Sequence, residues 1–147
     1  MVDAIARFQA KWQLGFIPPE QAPAAATQML QAGIVGNSLT TLAGLTSPSR
    51  LEVEPLVRSF LVEYGATPMA DADARWLLVG AGVEAITAGN LAPREGVEQI
   101  AFLCRELGTP EVLRDFVDLS ATYDPKDLRC DDHIRDLAAN VLMTLRR

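Results

Sequence analysis

The chain is poor in the residues from which most catalytic and metal sites are built. Its 147 residues include one histidine, two cysteines and only 6% aromatic side chains. Cys104 and Cys130 form neither a CxxC motif nor a disulfide framework, so we expect two reduced thiols in a cytoplasmic protein. Because aromatics are scarce, we expect alanine, leucine, valine and isoleucine to fill the core.

Basic residues are also scarce. The 13 lysine and arginine residues stand against 19 aspartate and glutamate residues, a formal net charge of -6. Proteins that bind nucleic acid cover phosphates with a basic surface, and the only adjacent basic residues are Arg146 and Arg147. We therefore expect no nucleic-acid partner, and repulsion argues equally against docking on an anionic membrane. A basic protein partner fits this charge better, although acidity also serves solubility.

Long apolar runs are absent as well. No stretch approaches the roughly 20 apolar residues of a membrane-spanning helix. At the N-terminus, Asp3, Arg7 and Lys11 interrupt the apolar pattern, so we expect no signal peptide.

Helical periodicity runs through the whole chain. Hydrophobic residues make up 49% of the sequence, enough for a folded core at this length. Apolar residues recur at helical spacing, and the predicted fold is all-α: a compact bundle of about eight helices built from helical hairpins, in a single domain over 1–147. The predicted helices are 3–14, 19–31, a short helix bearing Leu39 and Leu42, a helix bearing Val53 to Tyr64, 71–88, 93–107, a helix from Glu111, and a helix from Asp131 or Asp132.

Capping residues, prolines and glycines refine these boundaries. The third helix is predicted to begin with Asn37 or Ser38 as its cap. The seventh has the strongest start signal, a capping Thr109 followed by a first-turn Pro110.

Proline and glycine also occur within predicted helices. Pro55 is predicted to lie in the first turn of the fourth helix. Gly80 and Gly82 weaken the fifth helix, and they are predicted to let another backbone approach it.

The two halves of the chain resemble each other. Gly15 and Pro19 match Gly89 and Pro93 at an offset of 74 residues (89 − 15), and the same offset pairs several apolar positions. The pattern is compatible with an internal duplication of halves 1–65 and 71–147. The alternative is that any chain of helical hairpins reuses the same turn signals.

One stretch resembles a helix-turn-helix. Between Ile86 and Gly108, a Gly-Asn-Leu-Ala-Pro turn separates two helical runs. A DNA-reading head needs exposed basic side chains on its second helix, but Arg94 and Arg105 stand there among three glutamates. The turn also lacks a phosphate-binding glycine motif. A tight corner between two helices is therefore the favoured interpretation.

Cysteine, aspartate and histidine meet in only one place, the CDDH motif near the start of the last helix. Cys130, Asp132 and His133 are candidate metal ligands, with Cys104 as a fourth if the sixth helix converges on them. A small-molecule-binding or metal-binding protein, or an enzyme, with a cleft near His133 is the alternative function. The competing interpretation is a helix N-terminus that Asp131 or Asp132 caps.

Acidic residues concentrate in the last third of the chain. If the loop after the seventh helix folds back on that helix, these residues form a patch suited to a basic partner. A solvated surface is the alternative. The candidate partner-binding residues are Glu111, Asp115, Asp118, Asp124 and Asp127.

Three large aromatics lie near predicted helix ends, namely Trp12, Phe16 and Trp76. Such side chains can anchor a partner, but packing in the core is favoured.

These features favour a non-enzymatic, cytoplasmic protein–protein interaction module that needs no cofactor. A specific form of this hypothesis is an immunity-type protein that neutralises a basic toxin. A structural subunit that forms a homo-oligomer is a further hypothesis.

Overall fold

The computed structural model describes residues 3–146, and this part of the chain is all-helical. It contains eight α-helices joined by short turns and no strand, which confirms the predicted fold class. Two single 3₁₀ turns, Pro19–Gln21 and Glu111–Leu113, lead into the helices that follow them. Within residues 3–146, no helix is long and apolar enough to cross a membrane. The helices are α1 (Ala4–Gln13), α2 (Ala22–Gln31), α3 (Asn37–Ala43), α4 (Arg50–Tyr64), α5 (Asp71–Ala88), α6 (Pro93–Glu106), α7 (Arg114–Thr122) and α8 (Leu128–Leu145).

The described residues divide into two compact units. The first is Asp3–Ala74, which contains α1 to α4. Within it α2 packs against α3, and α3 packs against α4. Each of the four helices turns a stripe of apolar side chains inward, because these residues recur at helical spacing. The buried residues of this core are Ile5, Phe8, Trp12, Ala22, Ala26, Met29, Leu39, Leu42, Val53, Val57 and Phe60.

The second unit begins at Arg75, inside α5, and contains α6 to α8. Helix α6 packs against both α7 and α8, which also contact each other. No residue from 74 to 86 is exposed, so this part of α5 is at least partly covered on every side. Helix α6 turns an apolar face inward, and the members of that face are all buried: Val97, Ile100, Ala101, Leu103 and Cys104.

Helices α1 and α5 end in the same way. Gly15 and Gly89 have left-handed backbone angles, with φ of 80° and 79°, which a residue without a Cβ adopts without strain. The two turns also make equivalent hydrogen bonds at the offset of 74 residues. The same type of ending, with a left-handed Gly33, Gly65 or Gly108, also closes α2, α4 and α6, so the match does not distinguish a duplication from reuse of one turn signal, and the duplication stays a prediction. The paired backbone bonds run from Gly15 to Trp12 and from Phe16 to Lys11, and from Gly89 to Ile86 and from Asn90 to Ala85.

The close packing that was predicted at two glycines of α5 is found instead at a glycine of α6. A Cβ on Gly80 would meet nothing within 4 Å, and a Cβ on Gly82 would meet only the side chain of Ile100. The prediction that these glycines admit another backbone is therefore wrong. The tightly packed glycine is Gly96 in α6, where an added Cβ would collide with the side chain of Ile86.

Helix α3 is capped from another helix. The prediction that Asn37 or Ser38 caps it is wrong, because both residues lie inside the helix and Gly36 occupies the capping position. The Glu63 carboxylate of α4 takes over the role. It accepts hydrogen bonds from the Ser38 N–H at 3.3 Å and from the Ser38 hydroxyl at 2.7 Å. A carboxylate is also favoured by the dipole at this end of a helix.

Helix α4 begins earlier than its proline suggests. Ser49 and Glu52 form a capping box, and the first helical residue is Arg50. Pro55 therefore lies in the helix interior, and the prediction of a first-turn proline is wrong. Since proline has no N–H, the helix lacks the hydrogen bond that residue 55 would donate to the Leu51 carbonyl.

The turn before α7 also differs from the prediction. Thr109 does not cap α7; it closes α6 by donating its N–H to the Cys104 carbonyl at 2.8 Å. Its φ is 54°, a left-handed angle that a β-branched side chain disfavours. Pro110 then precedes a 3₁₀ turn, and α7 begins only at Arg114.

We expect Thr109→Gly to raise the free energy of unfolding by about 1 kcal/mol, because glycine relieves the left-handed strain. Urea denaturation followed by circular dichroism measures the change. Thr109→Val is the matched control, since it keeps the β-branch and the strain and should bring no gain. Equal stabilities of Thr109→Gly and the wild type would contradict the prediction.

Helix α8 starts at Leu128, and the predicted start at Asp131 or Asp132 is wrong. An earlier carboxylate supplies the cap: Asp127 accepts a hydrogen bond from the Arg129 N–H at 3.0 Å. The CDDH motif therefore lies within the helix and not before it.

Candidate functional site

A groove runs between α1 and α2 in the first unit. It has a volume of about 580 Å³ and is open along one side. One continuous face of each helix lines it, because the lining residues recur at spacings of three and four. The turn between the helices closes one end with Phe16 and Ile17. The α1 wall is Ala4, Arg7, Phe8 and Lys11, and the α2 wall is Ala24, Ala25, Gln28, Met29 and Ala32, with Gln21 at its start.

The floor of the groove is apolar. Phe8 and Met29 belong to the buried core of the unit, and Ile17 and Ala25 pack against that core. Four of the lining residues are alanines, which keep the walls low and let another chain approach closely. The groove can therefore bury apolar side chains of a partner without a rearrangement of the core.

One wall of the groove is cationic. Among the described residues that line it, only Arg7 and Lys11 are charged, and neither forms an ion pair with another described residue. Although Lys11 remains exposed, partial burial lowers the pKa of its ammonium group, and the charge of Arg7 lowers it further. A bound anion would oppose both effects. The groove thus offers unpaired positive charge in a chain of net charge -6.

Only one of the three aromatics singled out in the sequence lies at this groove. Phe16 is 43% exposed at its closed end, Trp12 is buried in the core, and Trp76 is half-buried. The position of Arg7 and Lys11 in a groove wall could not be predicted from the sequence, because two cations four residues apart on a helix are typical of a solvated face. Only the position of α2 beside them makes that face a wall.

The predicted partner-binding carboxylates are not equally available. Asp127 caps α8, and its hydrogen bonds with Arg129 lower the pKa of its carboxyl group. Asp124 accepts a hydrogen bond from the Lys126 N–H at 2.9 Å. An acidic partner surface stays a prediction, and it rests on the three remaining carboxylates. These are exposed in the 3₁₀ turn and in α7, and they are Glu111, Asp115 and Asp118.

The candidate metal ligands do not converge. No group of three or more His, Cys, Asp or Glu side chains within residues 3–146 is placed to hold a metal ion. Asp132 pairs with Arg135 at 3.3 Å, His133 is exposed, and Cys104 is buried in α6. The metal-binding alternative therefore has no support from the geometry of these residues.

The stretch that resembles a helix-turn-helix forms the corner between α5 and α6. Its turn follows the left-handed Gly89, and α6 begins at Pro93. On the exposed face of α6, Arg94 Nε lies 3.7 Å from Glu98 Oε1, so this cation has an acidic neighbour. These contacts agree with the interpretation of this stretch as a tight corner between two helices.

Comparison of the chain with protein-family models, with curated proteins and with solved structures gives no match. The groove between α1 and α2 is therefore interpreted from its own shape and charge.

Proposed function

We propose that the protein is a non-enzymatic interaction module, acting in the cytoplasm, whose groove between α1 and α2 receives a segment of another protein. The observation that carries the proposal is an open groove of about 580 Å³ with an apolar floor. Grooves of this kind bind partner segments by burying their apolar side chains. A small molecule fits less well, because its sites usually bury about 70–90% of the ligand, whereas this groove is open along one side.

An enzymatic function near His133 has less support. A histidine that acts on a nucleophile needs that nucleophile and an orienting acid within hydrogen-bonding distance. His133 is exposed, and its imidazole makes no hydrogen bond with another described residue.

The acidic residues of α7 and of the 3₁₀ turn before it support a second contact, with a basic partner, as an immunity-type protein would require. Exposed Glu111, Asp115 and Asp118 are its only basis. Salt screens exposed charges, so binding through this surface would weaken at high salt. Binding through the apolar floor of the groove would persist.

Site-specific photo-crosslinking in the organism that makes the protein tests the groove. A photo-reactive benzoylphenylalanine replaces Gln28, an exposed residue of the α2 wall, and the matched control places it at Thr27, which is exposed on α2 but does not line the groove. We expect a discrete protein adduct from position 28 and none from position 27.

A groove-filling substitution completes this test. Ala24 is exposed on the α2 wall, so Ala24→Trp fills the groove without replacing a core residue, and we expect it to abolish the adduct. Equal adducts from both positions, or an adduct that survives Ala24→Trp, would contradict the proposed function.

A further inference from the structure

We infer that the segment received by the groove is an amphipathic α-helix that carries carboxylates, four residues apart, beside its apolar stripe. This inference rests on the proposed function of the groove and names the class of partner. Three features carry it: the length of the groove, the small residues of its walls, and the position of its two cations.

The length of the groove suits a helix of about three turns. Its α2 wall extends from Gln21 to Ala32, which corresponds to about 16 Å at 1.5 Å per helical residue. A partner helix of this length presents one apolar side chain of its stripe on each turn. These side chains would reach the floor between Phe8 and Met29.

The walls favour a helix over an extended strand. A strand laid between two helices would leave its backbone N–H and C=O groups without partners, because helices satisfy their own. A helix carries no such cost. Ala4, Ala24 and Ala32 line the walls and allow the close approach that packing between helices requires.

The charge of the groove selects an acidic partner and orients it. Arg7 and Lys11 are four residues apart on α1, which places their Cβ atoms about 6 Å apart on one face. The opposite wall presents Gln21 and Gln28, which are uncharged. Carboxylates on the partner helix therefore face α1. Because the chain as a whole is acidic, its net charge disfavours such a partner while these two cations attract it, which favours this docking position.

A library of displayed helical peptides tests the inference on the full chain. Each peptide has 18 residues, a fixed leucine stripe, and two positions beside the stripe, four residues apart, that vary among Glu, Gln and Lys. We expect the selected peptides to be enriched in Glu. We also expect the best Glu peptide to bind at least about tenfold more tightly than its Lys counterpart.

Three variants assign the effect to the groove. The double variant Arg7→Glu, Lys11→Glu should reverse the preference, so that Lys peptides bind more tightly than Glu peptides. Arg58→Glu is the matched control, since Arg58 is exposed on α4 in the same unit and does not line the groove, and it should leave the preference unchanged. Ala24→Trp should abolish binding; if that variant does not fold by circular dichroism, Gln28→Trp replaces it.

The outcomes separate this inference from the proposed function. Peptides lost with Ala24→Trp but without a preference between Glu and Lys would overturn the carboxylate assignment and leave the interaction groove standing. Peptides that bind regardless of Ala24→Trp would overturn the proposed function itself. If no peptide is selected while dodecanoate binds in a groove-dependent manner, the occupant is an anionic lipid. If instead the free chain self-associates and Ala24→Trp prevents this, the occupant is a second copy. Either result overturns the helix assignment.

Discussion

Replacement of Phe60 or Phe116 by alanine is expected to lower the free energy of unfolding by about 3–5 kcal/mol. Both side chains are fully buried, and they are the two largest residues of which this is true among those described. Phe60 also packs edge-on against Phe8, with ring centroids 6.5 Å apart. Each variant loses the transfer free energy of a phenyl ring and leaves a cavity that the surrounding helices fill only in part.

Urea denaturation followed by circular dichroism measures both changes. The matched control is Phe102→Ala, because the side chain of Phe102 is 48% exposed, and its cost should stay below about 1 kcal/mol. A loss of similar size for Phe102→Ala and Phe116→Ala would contradict the assignment of Phe116 to the core of its unit.

The same two variants test the predicted single domain. Phe60 and Phe116 lie in different compact units, and α5 runs without interruption through the boundary at Ala74 and Arg75. A single domain unfolds in one cooperative transition, so we expect either variant to lower the same calorimetric transition. Two transitions, each lowered by only one variant, would contradict the single-domain prediction.

Gly96→Ala and Gly80→Ala are expected to differ in unfolding free energy by about 1–3 kcal/mol, with Gly96→Ala the less stable. Both changes gain the same helix propensity, up to about 1 kcal/mol, so their difference isolates packing. The methyl group on Gly96 would collide with Ile86, which is 1% exposed and has little room to move. The methyl group on Gly80 enters open space.

Gly80→Ala should therefore be more stable than the wild type, and Gly96→Ala less stable. Urea denaturation of both variants checks the two signs. Ile86→Val shortens the side chain that the new methyl group meets, so it should restore part of the stability of Gly96→Ala in a double-mutant cycle. Strictly additive effects of Gly96→Ala and Ile86→Val would contradict the proposed collision.

Local signals in the sequence account for some of the helix boundaries. The predicted fifth helix, 71–88, agrees with α5 residue for residue, and a left-handed glycine closes both α1 and α5. The buried face of α6 also follows from its spacing. These features are readable because hydrophobic periodicity and a glycine at a helix end act within one or two turns of the same segment.

The three failed cap predictions share a physical cause, which is that another group takes the capping role or that the residue is used at a different helix end. Ser38 resembles a helix cap, but the Glu63 carboxylate lies 25 positions away in the chain and takes the role. Thr109 also resembles a helix cap, but its N–H donates a hydrogen bond that closes α6. Asp131 resembles the cap of α8, but Asp127 supplies that cap one turn earlier.

The sequence by itself determined the all-helical class, the stripes of apolar residues that form the cores, and the acidic balance of charge. The tertiary structure alone decided which glycine is tightly packed and where the groove lies. Gly80 and Gly96 look alike in the sequence, and only the position of Ile86 separates them. Arg7 and Lys11 likewise look like a solvated face until α2 lies beside α1. Periodicity records which face of a helix is buried, whereas a groove depends on the distance between two helices, which no single segment encodes.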